Sequence, residues 1–238
     1  MKKTVLIGVS SLVLATSVLA GCGKESSTAA SGGSSQTISM SQVSKVTVNG
    51  DQLSEKELKQ YIKDYMEIKE SNILDLNLDT QSAIKNIALR DALLKDLGMT
   101  QEQFNKNYDE NLKFLKELKK RDPNDKATIQ SKGLYLHQTL GGEYAKKYLL
   151  NDSTLKKLSN SVNGEEKKAY DQLFQTVKAD MKNNRGNSKL TFFDAYSLYY
   201  VAQKYEVVDM LKYQQKQINK SSVKGIKLTK LKDDEVML

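Results

Sequence analysis

"VTVNGDQLSEKELKQYI", Val46 to Ile62, holds three local signals in seventeen residues. Val46–Val48 alternates as a short strand does, and Asn49-Gly50 is a tight-turn pair. Ser54 and Glu57 then stand at the spacing of a capping box, in which each side chain satisfies a backbone N–H that the first helical turn leaves free. Leu53 and Leu58 flank that box at the two positions of a hydrophobic staple. A folded domain therefore starts here, with a helix whose face carries Leu58, Tyr61, Ile62, Tyr65 and Ile68 at helical spacing.

The device recurs downstream. Asp79 or Thr80 can open the next helix, with Ala83, Ile84, Ile87, Ala88 and Leu94 inward and Gly98 at its stop. Thr100 and Gln103 form a second capping box, stapled by Met99 and Phe104. Phe104, Tyr108, Leu112, Leu115 and Leu118 continue that face as far as Pro123, the only proline, which cannot continue a helix. Helical pieces interrupted at Gly133 and Gly141-Gly142 are expected next. A stronger helix follows from about Glu165 to Lys182, with Tyr170, Leu173, Phe174, Val177 and Met181 on one stripe, and then the loop "NNRGNS".

A last long helix is expected from about Thr191 to Asn219. It contains Phe192, Phe193, Tyr196, Tyr199, Tyr200, Tyr205 and Tyr213. Its apolar residues occupy both sides, as in a helix buried between others. Its end is ridged with Lys212, Lys216, Lys220 and Lys224, where positive charge suits the helix dipole. The tail "VKGIKLTKL" alternates and is read as a short strand pairing with Val46–Val48. The fold class is mostly α, with at most a small two-stranded ribbon, and residues 45–238 form its helical domain.

The N-terminus speaks for location. Lys2 and Lys3 precede a mostly apolar run from Val5 to Ala20, and Leu19-Ala20-Gly21-Cys22 follows. The pattern is that of an export signal, and the run is short against the roughly 20 residues of a spanning helix. "LAGC" resembles the lipobox of bacterial lipoproteins. That resemblance implies cleavage after residue 21 and acylation of Cys22, the only cysteine, so that no disulfide can form within the chain. The expected organisation is a signal peptide over 1–21, a lipidated cysteine with a Ser/Gly-rich tether over 22–44, and the helical domain beyond. The chain would sit on the extracytoplasmic face of the membrane, held by its lipid anchor.

The 238 residues carry a net charge of +8, which falls by two when Lys2 and Lys3 leave. On an exported lipoprotein, anionic lipids and wall polymers are nearer partners for such a charge than nucleic acid, for which no motif is present. Lysine spread over solvated helix faces accounts for it. The high lysine content and absence of tryptophan associate with low-GC Gram-positive hosts.

Catalytic constellations are missing from the sequence. His137, in "LYLHQ", is the only histidine and has no Cys/His cluster or HExxH spacing around it. There is no P-loop, GxGxxG or GxSxG. The expectation is a non-enzyme without metal or cofactor, with His137 a packed side chain.

The stretch from "VNG" through the stapled helix, and the later "LRDALLKDLGMTQEQF", resemble the start of the chaperone domain of SurA/PrsA-type extracytoplasmic foldases. The resemblance covers residues 45 to about 120, and the aromatic C-terminal helix by position. It implies a domain that binds unfolded exported polypeptides, with a long C-terminal helix returning onto the N-terminal part. Many members insert a parvulin-type prolyl isomerase with an "A-x-H-I-L"-like strand; only "LYLHQ" stands here, inside a helical pattern. The implied member is a chaperone without isomerase activity. Tyr61, Tyr65, Tyr196, Tyr199 and Tyr200 are the candidate client-contacting residues, since aromatic rings give broad contact with few rotors to freeze. The alternative is a lipoprotein that recognises one dedicated partner, a secretion or conjugation component or a wall polymer. The oligomeric state is not legible in the sequence.

Overall fold

The computed structural model describes residues 38–65, 79–124, 129–184, 188–232 and 237–238. The expected signal peptide, Cys22, most of the tether, Ile68 at the end of the first helix face and part of the "NNRGNS" loop lie outside these residues. The fold is mostly α-helical.

The opening stretch forms a hairpin and a helix. β1 (Thr47–Val48) turns through Asn49 (φ 55°) and Gly50 (φ 100°) into β2 (Asp51–Gln52). Two successive positive φ values make this a type I′ turn, whose twist matches that of paired strands. The tail supplies β3 (Val223–Lys224), antiparallel to β1 with Thr47 opposite Lys224 and Val48 opposite Val223. The pairing of tail and opening strand is therefore present. The ribbon has three strands, in the order β2-β1-β3, because the hairpin's return arm joins it.

α1 (Glu55–Tyr65) begins at the capping box. Ser54 N–H donates to Glu57 Oε2 (2.9 Å), and Glu57 N–H donates to Ser54 Oγ (3.1 Å). The folded part starts before residue 45. Met40–Lys45 is a 3₁₀ turn, and Ile38 and Val43 are buried, so the last residues of the expected tether belong to the core.

α2 (Asp79–Asp96) runs between two apolar clusters. Ala83, Ile84, Ile87 and Ala88 face the smaller one, with Val43, Val48, Leu58, Ile62 and Ile226. Leu89, Leu93 and Leu94 face the larger one. The helix ends at Gly98 (φ 78°), where Met99 N–H reaches Leu94 O and Gly98 N–H reaches Lys95 O, the paired bonds of a Schellman stop. α3 (Gln101–Arg121) starts at the second capping box, with Thr100 N–H to Gln103 Oε1 (2.8 Å) and Gln103 N–H to Thr100 Oγ1 (3.1 Å). Phe104 is its one buried residue, and Phe114 is 61% exposed.

The glycines expected to interrupt the next segment lie inside α4 (Lys132–Tyr144), which a wider π turn extends over Ala145–Leu149. Gly141 has a packing reason. The Tyr199 ring lies on it, and a Cβ there would stand 2.6 Å from Tyr199 Cδ1. α5 (Asp152–Ser161) and α6 (Gly164–Asn184) follow, with Phe174 and Val177 buried as the stripe on α6 predicts.

The long aromatic helix is two helices. α7 (Phe192–Lys204) stops where Glu206 takes a left-handed φ of 52° and Val207 N–H bonds back to Ala202 O. α8 (Met210–Ile218) restarts on Asp209, whose carboxylate accepts from Lys212 N–H at 2.8 Å. α7 packs along α4, and α8 packs along α2. The tail then crosses α8: Gln215 Oε1 accepts from Leu231 N–H and Gln214 Oε1 from Met237 N–H, each at 2.8 Å, with Leu231 and Leu238 buried.

Candidate functional site

Tyr61 and Tyr65 are one turn apart on α1, so their rings stack at 4.7 Å between centroids. Arg90 of α2 lies over both, at 5.2 and 5.6 Å, and its guanidinium is held by Asp91 at 2.7 Å. In the first turn of α4, Lys132 Nζ is 5.6 Å from the Tyr65 ring centre and 5.8 Å from that of Tyr108 on α3. Tyr108 lies 5.4 Å from Tyr135, Tyr135 stacks on Phe192 at 6.0 Å, and Phe192 meets Phe193 edge-on at 5.6 Å. One ribbon of rings, with two cations set among them, thus crosses α1, α4, α3 and α7. Cations over ring faces are attracted by the ring quadrupole, which favours such alternation.

The ribbon goes from buried to bare. Tyr61 is 5% exposed and Phe193 75%. At the bare end, Phe193 and Tyr200 are seven residues apart on α7 and share its outward stripe with the half-buried Tyr196. Leu134 at the start of α4 adds another exposed apolar side chain.

Three phenols of the ribbon are shifted toward their neutral form. Burial pushes the Tyr61 hydroxyl far above its usual range, with Arg90 opposing it in part. Burial also raises Tyr108, helped by the negative charge of Asp64, and raises Tyr135. These hydroxyls stay neutral and hydrogen-bond locally, Tyr108 to Gln130 O (3.3 Å) and Tyr135 to Asn107 O (3.5 Å). The ribbon can offer contact area, ring faces and two positive charges.

Of the five tyrosines expected to meet a client, the structure places Tyr65, Tyr196 and Tyr200 at or near the surface. Tyr61 forms the buried end of the ribbon, and Tyr199 is wholly buried against Gly141. Tyr199 therefore packs the α4–α7 interface. Phe193, Phe192, Tyr135, Tyr108 and Lys132 were not expected. Phe193 was within reach, because neighbours on a helix diverge by about 100°, so a helix that turns Tyr199 inward turns one of the Phe192-Phe193 pair out.

The remaining polar clusters read as clamps. His137 Nδ1–H donates to Met237 O at 3.0 Å and pins the chain's last residues, with Tyr196 and Tyr199 edge-on to its ring. Asp96 Oδ2 accepts from Tyr148 (2.6 Å) and Tyr213 (2.9 Å), and Lys147 and Lys220 stand nearby at 3.7 and 3.6 Å. Burial would raise the Asp96 pKa; the two hydroxyls and two ammonium groups outweigh it and hold the carboxyl below the usual range. Among the described residues, no group of three or more His, Cys, Asp and Glu side chains could hold a metal ion, and no helix is long and apolar enough to cross a membrane.

Compared with known protein families, curated proteins and solved structures, the chain matches none.

Proposed function

We propose that the chain is a membrane-anchored extracytoplasmic lipoprotein, acylated at Cys22, that binds unfolded or exported polypeptides as a chaperone without isomerase activity. The observation that carries this reading is the aromatic ribbon with its bare end at Phe193 and Tyr200 on a rigid helix. Large exposed rings grouped on one face suit apolar segments of many sequences, because every apolar side chain can lie on a ring face. α3, with Phe114 exposed and Leu112 and Leu115 half-buried, extends the apolar area next to Tyr108.

A second reading is favoured by the interlocking of the ribbon. Rings held by Arg90, Lys132 and each other form a fixed surface, and a fixed surface fits one dedicated partner segment better than many. The test uses residues 36–238 and a reduced, aggregating exported protein. Suppression near equimolar ratio, lost with Phe193→Ser combined with Tyr200→Ser at unchanged helicity, supports the chaperone. No suppression by the well-folded protein overturns the general chaperone and leaves the dedicated-partner reading.

A further inference from the structure

Residues 210–232, from the start of α8 through β3 into the tail, contain seven lysines (212, 216, 220, 224, 227, 230 and 232) and no aspartate or glutamate. These 23 residues therefore carry a net charge of +7 in a chain whose total is +8. All seven lysines are exposed. Lys220 approaches Asp96, and Lys232 also has a partner. Lys212, Lys216, Lys224, Lys227 and Lys230 form no ion pair among the described residues.

The fold gathers these charges. Lys212 and Lys216 follow one another at i, i+4 on α8, and Lys220 stands in the turn just after it. Lys227 and Lys230 line a hollow of about 620 Å³ together with Gln215 of α8 and Asn219, which caps that helix. Gly225 (φ 86°) packs on the backbone of Lys45, which brings an eighth exposed lysine beside Lys224. Lys45 and Lys224 flank the sheet strand that the N-terminal segment runs into, a few residues after the buried Ile38.

We propose that this lysine face rests on the anionic headgroups of the membrane in which the chain is anchored. The proposal rests on the reading that Cys22 carries the lipid. From Cys22 to Ile38 the chain can span at most about 50 Å, at roughly 3.3 Å per residue. Charge attraction to a bilayer acts only within about 8–10 Å at physiological ionic strength. The anchor keeps the domain within reach of the bilayer without orienting it; a lysine face beside the point of attachment orients it. Acidic phospholipid is the partner whose chemistry fits, because ammonium groups separated over an exposed face match a plane of phosphates one by one. Asp233, Asp234 and Glu235 follow directly in sequence and lie outside the described residues.

The experiment uses the full lipidated chain in vesicles, with one introduced cysteine carrying a donor dye and acceptor-labelled headgroups in the bilayer. Thr229→Cys reports from the lysine face and Gln203→Cys from α7. Vesicles of phosphatidylcholine with 30% phosphatidylglycerol are expected to give strong energy transfer at position 229 and weak transfer at 203. Pure phosphatidylcholine, added salt, or the combined change Lys216→Gln, Lys224→Gln, Lys227→Gln and Lys230→Gln should remove the difference, each lysine being worth about fivefold in membrane association. Equal transfer at the two positions, or transfer indifferent to lipid charge, overturns the proposal. Transfer indifferent to lipid charge together with lysine-dependent binding to isolated cell walls overturns it in favour of a wall polymer. Failure of the anchor itself reads differently: the chain no longer floats with vesicles, and Cys22 takes up a second dye.

Discussion

α2 and α3 are neighbours in sequence, joined through the Gly98 stop and the Thr100 capping box, and meet opposite fates. α2 has apolar side chains all round and disappears between the two core clusters. α3 has a cleaner apolar stripe and buries Phe104 alone. A helix whose stripe is matched by a neighbour contributes stability, whereas one whose stripe is left bare offers a surface. Amphipathicity in the sequence gives a helix and an apolar face, and leaves open whether the face is core or surface.

Substitutions along the two helices can break this contrast. Leu89→Ala in α2 removes a side chain buried on all sides. It should cost about 2–5 kcal/mol and, at about 2–4 °C per kcal/mol for a chain of this size, lower Tm by roughly 5–15 °C in calorimetry. Asp96→Asn, at the end of α2, removes a charge that takes hydrogen bonds from Tyr148 and Tyr213 and should cost about 2 kcal/mol at neutral pH. The Asp96 carboxyl is held lower in the fold than its ordinary value. Its contribution is therefore full above about pH 4 and lost as pH falls through the folded-state value. Urea titrations of wild type and the Asn variant should converge at low pH; a constant gap would refute the linkage. Thr100→Ala removes one half of the α3 capping box and should cost about 1 kcal/mol by the same titration. Phe114→Ser on the bare side of α3 should change stability by about 0.5 kcal/mol or less, yet weaken suppression of aggregation in the chaperone assay. A loss comparable to that of Leu89→Ala would mean that α3 is covered after all.

The sequence was most legible where a signal is local. Both capping boxes, the Gly98 stop and the Asn-Gly turn act within a few residues, and each is present with the bonds expected of it. The break between α7 and α8 was not legible, because Glu206 occupies the left-handed stop position that glycine usually marks, while Asp209 alone announced the restart. Gly141 misled in the other direction: it serves a ring from α7, a contact that local pattern does not encode. The site was half legible for the same reason. Tyr65, Tyr196 and Tyr200 could be named as aromatics on helix faces, but Tyr199 fell inward and Phe193 outward according to how α7 rolls on α4.

The pairing of β1 with β3 has a kinetic consequence. Asn49 Oδ1 accepts from Ser222 N–H across 173 residues of chain, and Ile226 completes the cluster built by Val43, Val48 and Leu58. The small sheet cannot close until both ends of the chain are free to meet. Such a long-range closure raises contact order and slows the final step of folding. The N-terminal cluster, though mostly encoded within the first hundred residues, stays incomplete until Ile226 has been made and has docked.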